Sequence, residues 1–158
     1  MDDQQTADPT MARIIEAVQL GQSGRPARAR ELLSALWDEI GPGGDPLHRC
    51  TLAHYLADLQ DTTEAELGWD ERALAAVSDL TDERARRYLP SLQVQAFLPS
   101  LFLNLADCHR RLGQPAQARE YLARAGEQVA HLPDDPYGAT IRAAVRDFTA
   151  DDPTDLRR

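Results

Sequence analysis

Lysine is absent from this chain of 158 residues: all 17 basic residues are arginine, set against 26 aspartates and glutamates. Without lysine there is no Schiff-base nucleophile and no phosphate-loop ammonium group. The formal charge of −9 argues against a nucleic-acid face and against docking on anionic membranes, since both need clustered cations. Cysteine is scarce. Cys50 and Cys108 both fall inside helix-period patterns and read as buried reduced thiols, not as a disulfide framework. No apolar run approaches membrane length, and the acidic, polar N-terminus lacks the features of a secretory leader, so the cytoplasm is the expected location. Gly-x-Ser-x-Gly, Gly-x-Gly-x-x-Gly and His-Glu-x-x-His are all missing, which removes the commonest signatures of hydrolases, dinucleotide enzymes and zinc proteases.

What is present is globular: 42% apolar and 27% charged residues. The length suits a single domain, expected over residues 1–150, with a charged tail at 151–158. A composition rich in alanine, proline and arginine points to a GC-rich bacterial genome.

Residues 101–125 carry the clearest pattern. Leu101, Leu105, Cys108 and Leu112 recur at three- and four-residue spacing, flanked by Phe102 and Ala106, which makes one buried helical stripe. Gly113 can end that helix in a left-handed conformation, and Pro115 suits the first turn of the next. The second helix carries Ala118, Tyr121, Leu122 and Ala125. A second copy lies upstream, where the run from Gly24 through Pro26, Ala27, Ala29, Arg30, Glu31 and Leu33 parallels that from Gly113 through Leu122. Ala17 then matches Ala106, and Leu36 matches Ala125. A weaker copy aligns Leu52, Ala53 and Leu59 with Leu105, Ala106 and Leu112. In it Gln60 replaces the turn glycine, and Ala65 and Trp69 replace Ala118 and Leu122.

These units resemble the tetratricopeptide repeat, a helix-turn-helix of about 34 residues. Ala106, Ala118 and Ala125 match the family's small positions, with Leu105, Phe102 and Leu122 at its large apolar ones. His109 stands where the family usually has tyrosine, and Pro133 lies late for the closing proline. The resemblance implies an all-α fold: a tetratricopeptide-like right-handed stack of antiparallel helix pairs. About seven to nine helices are expected, with units near residues 10–41, 46–79 and 99–132, a helical insertion at 80–98 and a C-terminal capping helix at 136–150.

Local signals place the ends. Asp8-Pro9 or Thr10, Asp45-Pro46 and Asp135-Pro136 are cap-and-proline starts. Asp61 or Thr63 is expected to cap the fourth helix, with Glu64 or Glu66 closing a capping box. Gly68 inside that helix suggests close packing. Ile141, Val145 and Phe148 should turn inward from the last helix.

Several residues could carry chemistry. Cys50 with His54, and Cys108 with His109, could be imagined as metal ligands, but zinc sites favour tight loop pairs, and neighbours on a helix point to different faces. His54, Asp58 and Asp107 could serve as acid or base, yet no nucleophile stands at diagnostic spacing. No enzyme activity, metal or cofactor is therefore expected.

The family resemblance implies that the first helix of each pair lines a concave groove. Carrying over the outward places gives Met11, Ile14 and Val18, then Leu47, Cys50, His54 and Asp58, then Leu103, Asp107, Arg110 and Arg111, with Asn104 beside them. Ile14, Val18, Cys50 and His54 occupy the places where chaperone-tail binders carry lysine and asparagine, which argues against that subclass. The expected role is a non-catalytic scaffold holding a peptide or helix of another protein. The alternative is a self-associating module, a homodimer; a small hydrolase or metal-dependent enzyme ranks below both.

Overall fold

The computed structural model describes residues 8–81, 83, 98–132 and 134–148. Among them are seven α-helices: α1 (Pro9–Gln22), α2 (Pro26–Ile40), α3 (Pro46–Asp58), α4 (Thr63–Asp79), α5 (Leu98–Arg111), α6 (Pro115–Gln128) and α7 (Pro136–Asp147). A single 3-10 turn, Val129–His131, follows α6. The fold is all-α, and no strand occurs among the described residues. The inserted segment falls almost wholly outside those residues, as do Pro133 and the charged tail.

Helices pair in sequence order, α1 with α2, α3 with α4 and α5 with α6, and each pair rests on the next. Alanine sets the approach. Ala17 and Ala29 are sealed in the first pair, Ala53 and Ala73 in the second, and Ala106, Ala118 and Ala125 in the third. Small side chains at these crossings let two helix axes come close while larger neighbours fill the flanks.

The first and third turns use the same device. Gly24 and Gly113 take φ of 89° and 72°. Each turn closes with two backbone bonds, Arg25 N to Leu20 O and Gly24 N to Gly21 O in one, and Gln114 N to His109 O and Gly113 N to Arg110 O in the other. This is the Schellman arrangement, which only a residue at ease with positive φ completes cheaply. The middle turn has Gln60 instead and avoids positive φ. Leu59 N and Gln60 N bond back to Leu56 O and Ala57 O, and the Gln60 amide adds a bond of 2.8 Å to Leu56 O.

Helix starts follow aspartate and proline. Asp8 accepts from Met11 N, Asp45 from Leu47 N and Asp135 from Gly138 N, each one position before a proline. At α4 the cap is Thr62, which accepts from Ala65 N at 3.2 Å; neither Asp61 nor Thr63 fills that place. The shift moves Glu66 past the capping-box position and frees it to turn inward. Gly68 also departs from expectation. A Cβ built there meets no atom within 4 Å, so close packing does not explain it. Close approach between helices occurs instead at Gly21, where a Cβ would lie 3.2 Å from the Ala29 Cβ, and within the loop after α2 at Gly44, where it would lie 2.9 Å from the Ile40 carbonyl oxygen.

The cores run continuously along the stack. Ile14, Leu33, Leu36, Leu47, Leu52 and Leu56 join the first two pairs. Trp37 of α2 meets Trp69 of α4 edge-on at 5.1 Å, with the Arg49 guanidinium 4.0 Å above the Trp37 ring. At the far end α7 folds back along α5. Its start shares a cavity with Ser100 and Leu101, and Phe148 beyond its end packs on Leu103, Ala106 and Ala118, so the two helices run in the same direction. No described helix is long and apolar enough to cross a membrane.

Candidate functional site

Two cavities open along the row formed by α1, α3 and α5. The first, about 220 Å³, is lined by Val18, Gly21, Gln22, Ala29, Leu33, Tyr55, Asp58 and Leu59. The second, about 260 Å³, is lined by Cys50, Thr51, His54, Tyr55, Ser100, Leu101 and Tyr137. Tyr55 belongs to both. In each, the walls are apolar and the polar groups few, as in recognition sites generally.

Of the residues expected in the groove, Val18 and Asp58 line the first cavity, and Cys50 and His54 line the second. Seven of the twelve are buried within the chain itself: Met11, Ile14, Leu47, Cys50, Leu103, Asp107 and Arg110. Ile14 and Leu47 pack into one cluster because the stripe facing the row also meets the neighbouring helix. Leu103 and Arg110 are covered by Phe148, whose ring lies 5.5 Å from the Arg110 guanidinium. Asn104 is half-buried, and Asp58 is exposed.

Arg111 points away from the row. From the last turn of α5 it donates to Glu66 at 2.7 Å, Asp107 at 3.0 Å and the Thr63 hydroxyl at 3.1 Å. Arg110 donates to the other Asp107 oxygen. The Cys108 thiol lies 3.7 Å from Asp70, whose carboxyl is 1% exposed. Burial opposes the Arg111 charge, but the Glu66 hydrogen bond and the Asp107 and Glu66 charges outweigh it and raise its pKa. Burial pushes the Cys108 thiol up, and the Glu66 and Asp70 carboxylates push it further. Cys50 is pushed up to about 12 by burial. Neither thiol has the character of a nucleophile.

Glu66, Asp70 and Cys108 each offer a ligand atom, all within 4.8 Å of one another. Arg111 already occupies Glu66, and the thiol is held protonated, so the trio reads as an internal ion network linking α4 to α5. Cys50 and His54 share a cavity wall. His109 turns the other way: its ring stacks on Tyr121 at 5.5 Å, and its Nδ1 lies 2.7 Å from Gln114 Oε1.

Three features escaped sequence reasoning. Glu66 and Asp70 lie in step with Ala73 and Val77, so helical spacing alone assigns both carboxylates to the buried stripe of α4. Tyr55, next to His54, walls both cavities. Tyr137 sits in the first turn of α7, 48% exposed.

The family model for the tetratricopeptide repeat matches residues 10–35 and 99–127. Those are the first and third helix pairs, which share one turn geometry. The chain carries two tetratricopeptide repeats. Between the matched repeats, α3 and α4 form a pair of the same kind around the turn at Gln60. No curated protein and no solved structure matches the chain. Tetratricopeptide repeats as a class mediate contacts between proteins.

Proposed function

We propose that this protein is a non-catalytic scaffold that holds a segment of a partner protein against the α1, α3 and α5 row. The observation that carries the reading is the pair of apolar cavities meeting at Tyr55, in the helices that line the groove of such repeats. Both thiols are buried and held protonated, which supports a non-enzymatic role. Among the described residues the large exposed apolar ones are Ile15 and Tyr137, on different helices; over that part of the chain this favours a segment-binding surface over a broad homodimer face.

Arg110 and Arg111 are structural, so the surface is tested elsewhere. Val18→Glu and Asp58→Arg alter the row, whereas Arg119→Glu alters the exposed side of α6. Affinity capture from the native host should lose the same partners with both row variants and keep them with Arg119→Glu. Identical partner lists from all three proteins would remove the groove reading.

A further inference from the structure

The first cavity of the row is apolar inside and acidic at its rim. Ala29 and Leu33 are buried beneath it, Val18, Tyr55 and Leu59 are half-buried around it, and Asp58 is exposed where it meets water. Two helices end there, α1 with Gly21 and Gln22 and α3 with Asp58 itself. A helix C-terminus carries partial negative charge, and neither of these last turns holds a basic residue to offset it. Arg30 of α2 is engaged with the Leu59 carbonyl at 3.4 Å and with Asp61 at 3.0 Å, and it does not line the cavity. Asp58 also has an interaction within the chain, and a carboxylate accepts more than one donor. At about 220 Å³ the cavity falls below the roughly 300–1,000 Å³ typical of small-molecule sites and suits one inserted side chain.

We infer that this cavity receives a lysine or arginine side chain of the partner segment, its aliphatic stem against Val18, Leu33 and Tyr55 and its cationic head on Asp58. Basic side chains bury their methylenes along apolar surface and keep the head in water, the same order in which this cavity presents its walls and its rim. Leucine would fill the walls and strip water from the carboxylate without replacing it. Serine or asparagine would reach Asp58 and leave the walls bare. Glutamate would meet like charge. The formal charge of −9 acts in the same sense at longer range, drawing a basic segment toward the chain. The inference rests on the groove reading and names the chemistry that one end of the groove selects.

A random peptide display library selected on the full chain tests both. The expected result is enriched peptides with lysine or arginine at one fixed position. A synthetic peptide from that pool is then compared with its uncharged analogue, norleucine for lysine or citrulline for arginine. The analogue should bind wild type about three- to tenfold more weakly, the effect of one charged contact at a partly exposed site. Asp58→Asn should bind the two alike. Basic residues scattered without a fixed position would mean that net charge selected them, and would overturn the side-chain assignment. So would an analogue that binds wild type as tightly as the parent, or an Asp58→Asn variant that still prefers the parent. No enrichment at all would overturn the groove and the assignment together.

Discussion

Arg111 closes the α5 helix by reaching across to Glu66 of α4, 2.7 Å away, so that a largely buried ion pair joins the second helix pair to the third. The same guanidinium holds Asp107 at 3.0 Å, and only 15% of the Arg111 side chain is exposed. The contact is internal to the stack, and its removal should read out as stability.

Arg111→Met leaves Glu66 and Asp107 facing each other without that cation. Breaking one side of such a pair should cost about 3 kcal/mol in urea unfolding. Adding Glu66→Gln should recover much of the loss, because the uncompensated charge is the main penalty. A double-mutant cycle that shows simple additivity would mean that the pair is not coupled.

His54 gives a pH dependence of known sign. Its folded pKa is lowered by burial, so between that value and the ordinary value of 6.5 the unfolded chain binds more protons. Its contribution is therefore in place above pH 6.5 and declines as pH falls toward the folded pKa. Urea midpoints at roughly pH 7.5 and 5.5 should differ less in His54→Phe than in wild type. An unchanged difference would show that His54 titrates alike in both states.

Gly68 and Gly21 separate helix propensity from packing. Gly68→Ala puts a methyl into open space inside α4 and should stabilise by about 0.5–1 kcal/mol, raising Tm by roughly 2–4 °C. Gly21→Ala drives its Cβ against Ala29 and should lose that gain or fall below wild type. Thermal unfolding of the two variants side by side decides it, and equal Tm shifts would refute the packing account.

How far each feature could be read from the chain follows from how local its cause is. Ala29 and Ala118 are fully buried, and Gly24 and Gly113 take the left-handed turns, because each depends on one hairpin and its own sequence. Thr62 took the cap from Asp61 and Thr63 by a shift of one residue, which spacing does not resolve. The burial of Leu103, Asp107 and Arg110 was beyond reach, since it depends on α7 returning along α5 to set Phe148 over them. The far end of the expected groove is thus closed by the capping helix, which covers Leu103 and Arg110. Tyr137 enters from the same distant helix, so nothing near His54 in the chain announces it.

Tyr55 stands as one partition between two rooms. A residue seated on either side fixes the ring that a residue on the other side must meet. Any segment that fills both is gauged for the interval between its two anchors as well as for their chemistry. A chain with suitable residues one step out of phase would find the second door shut.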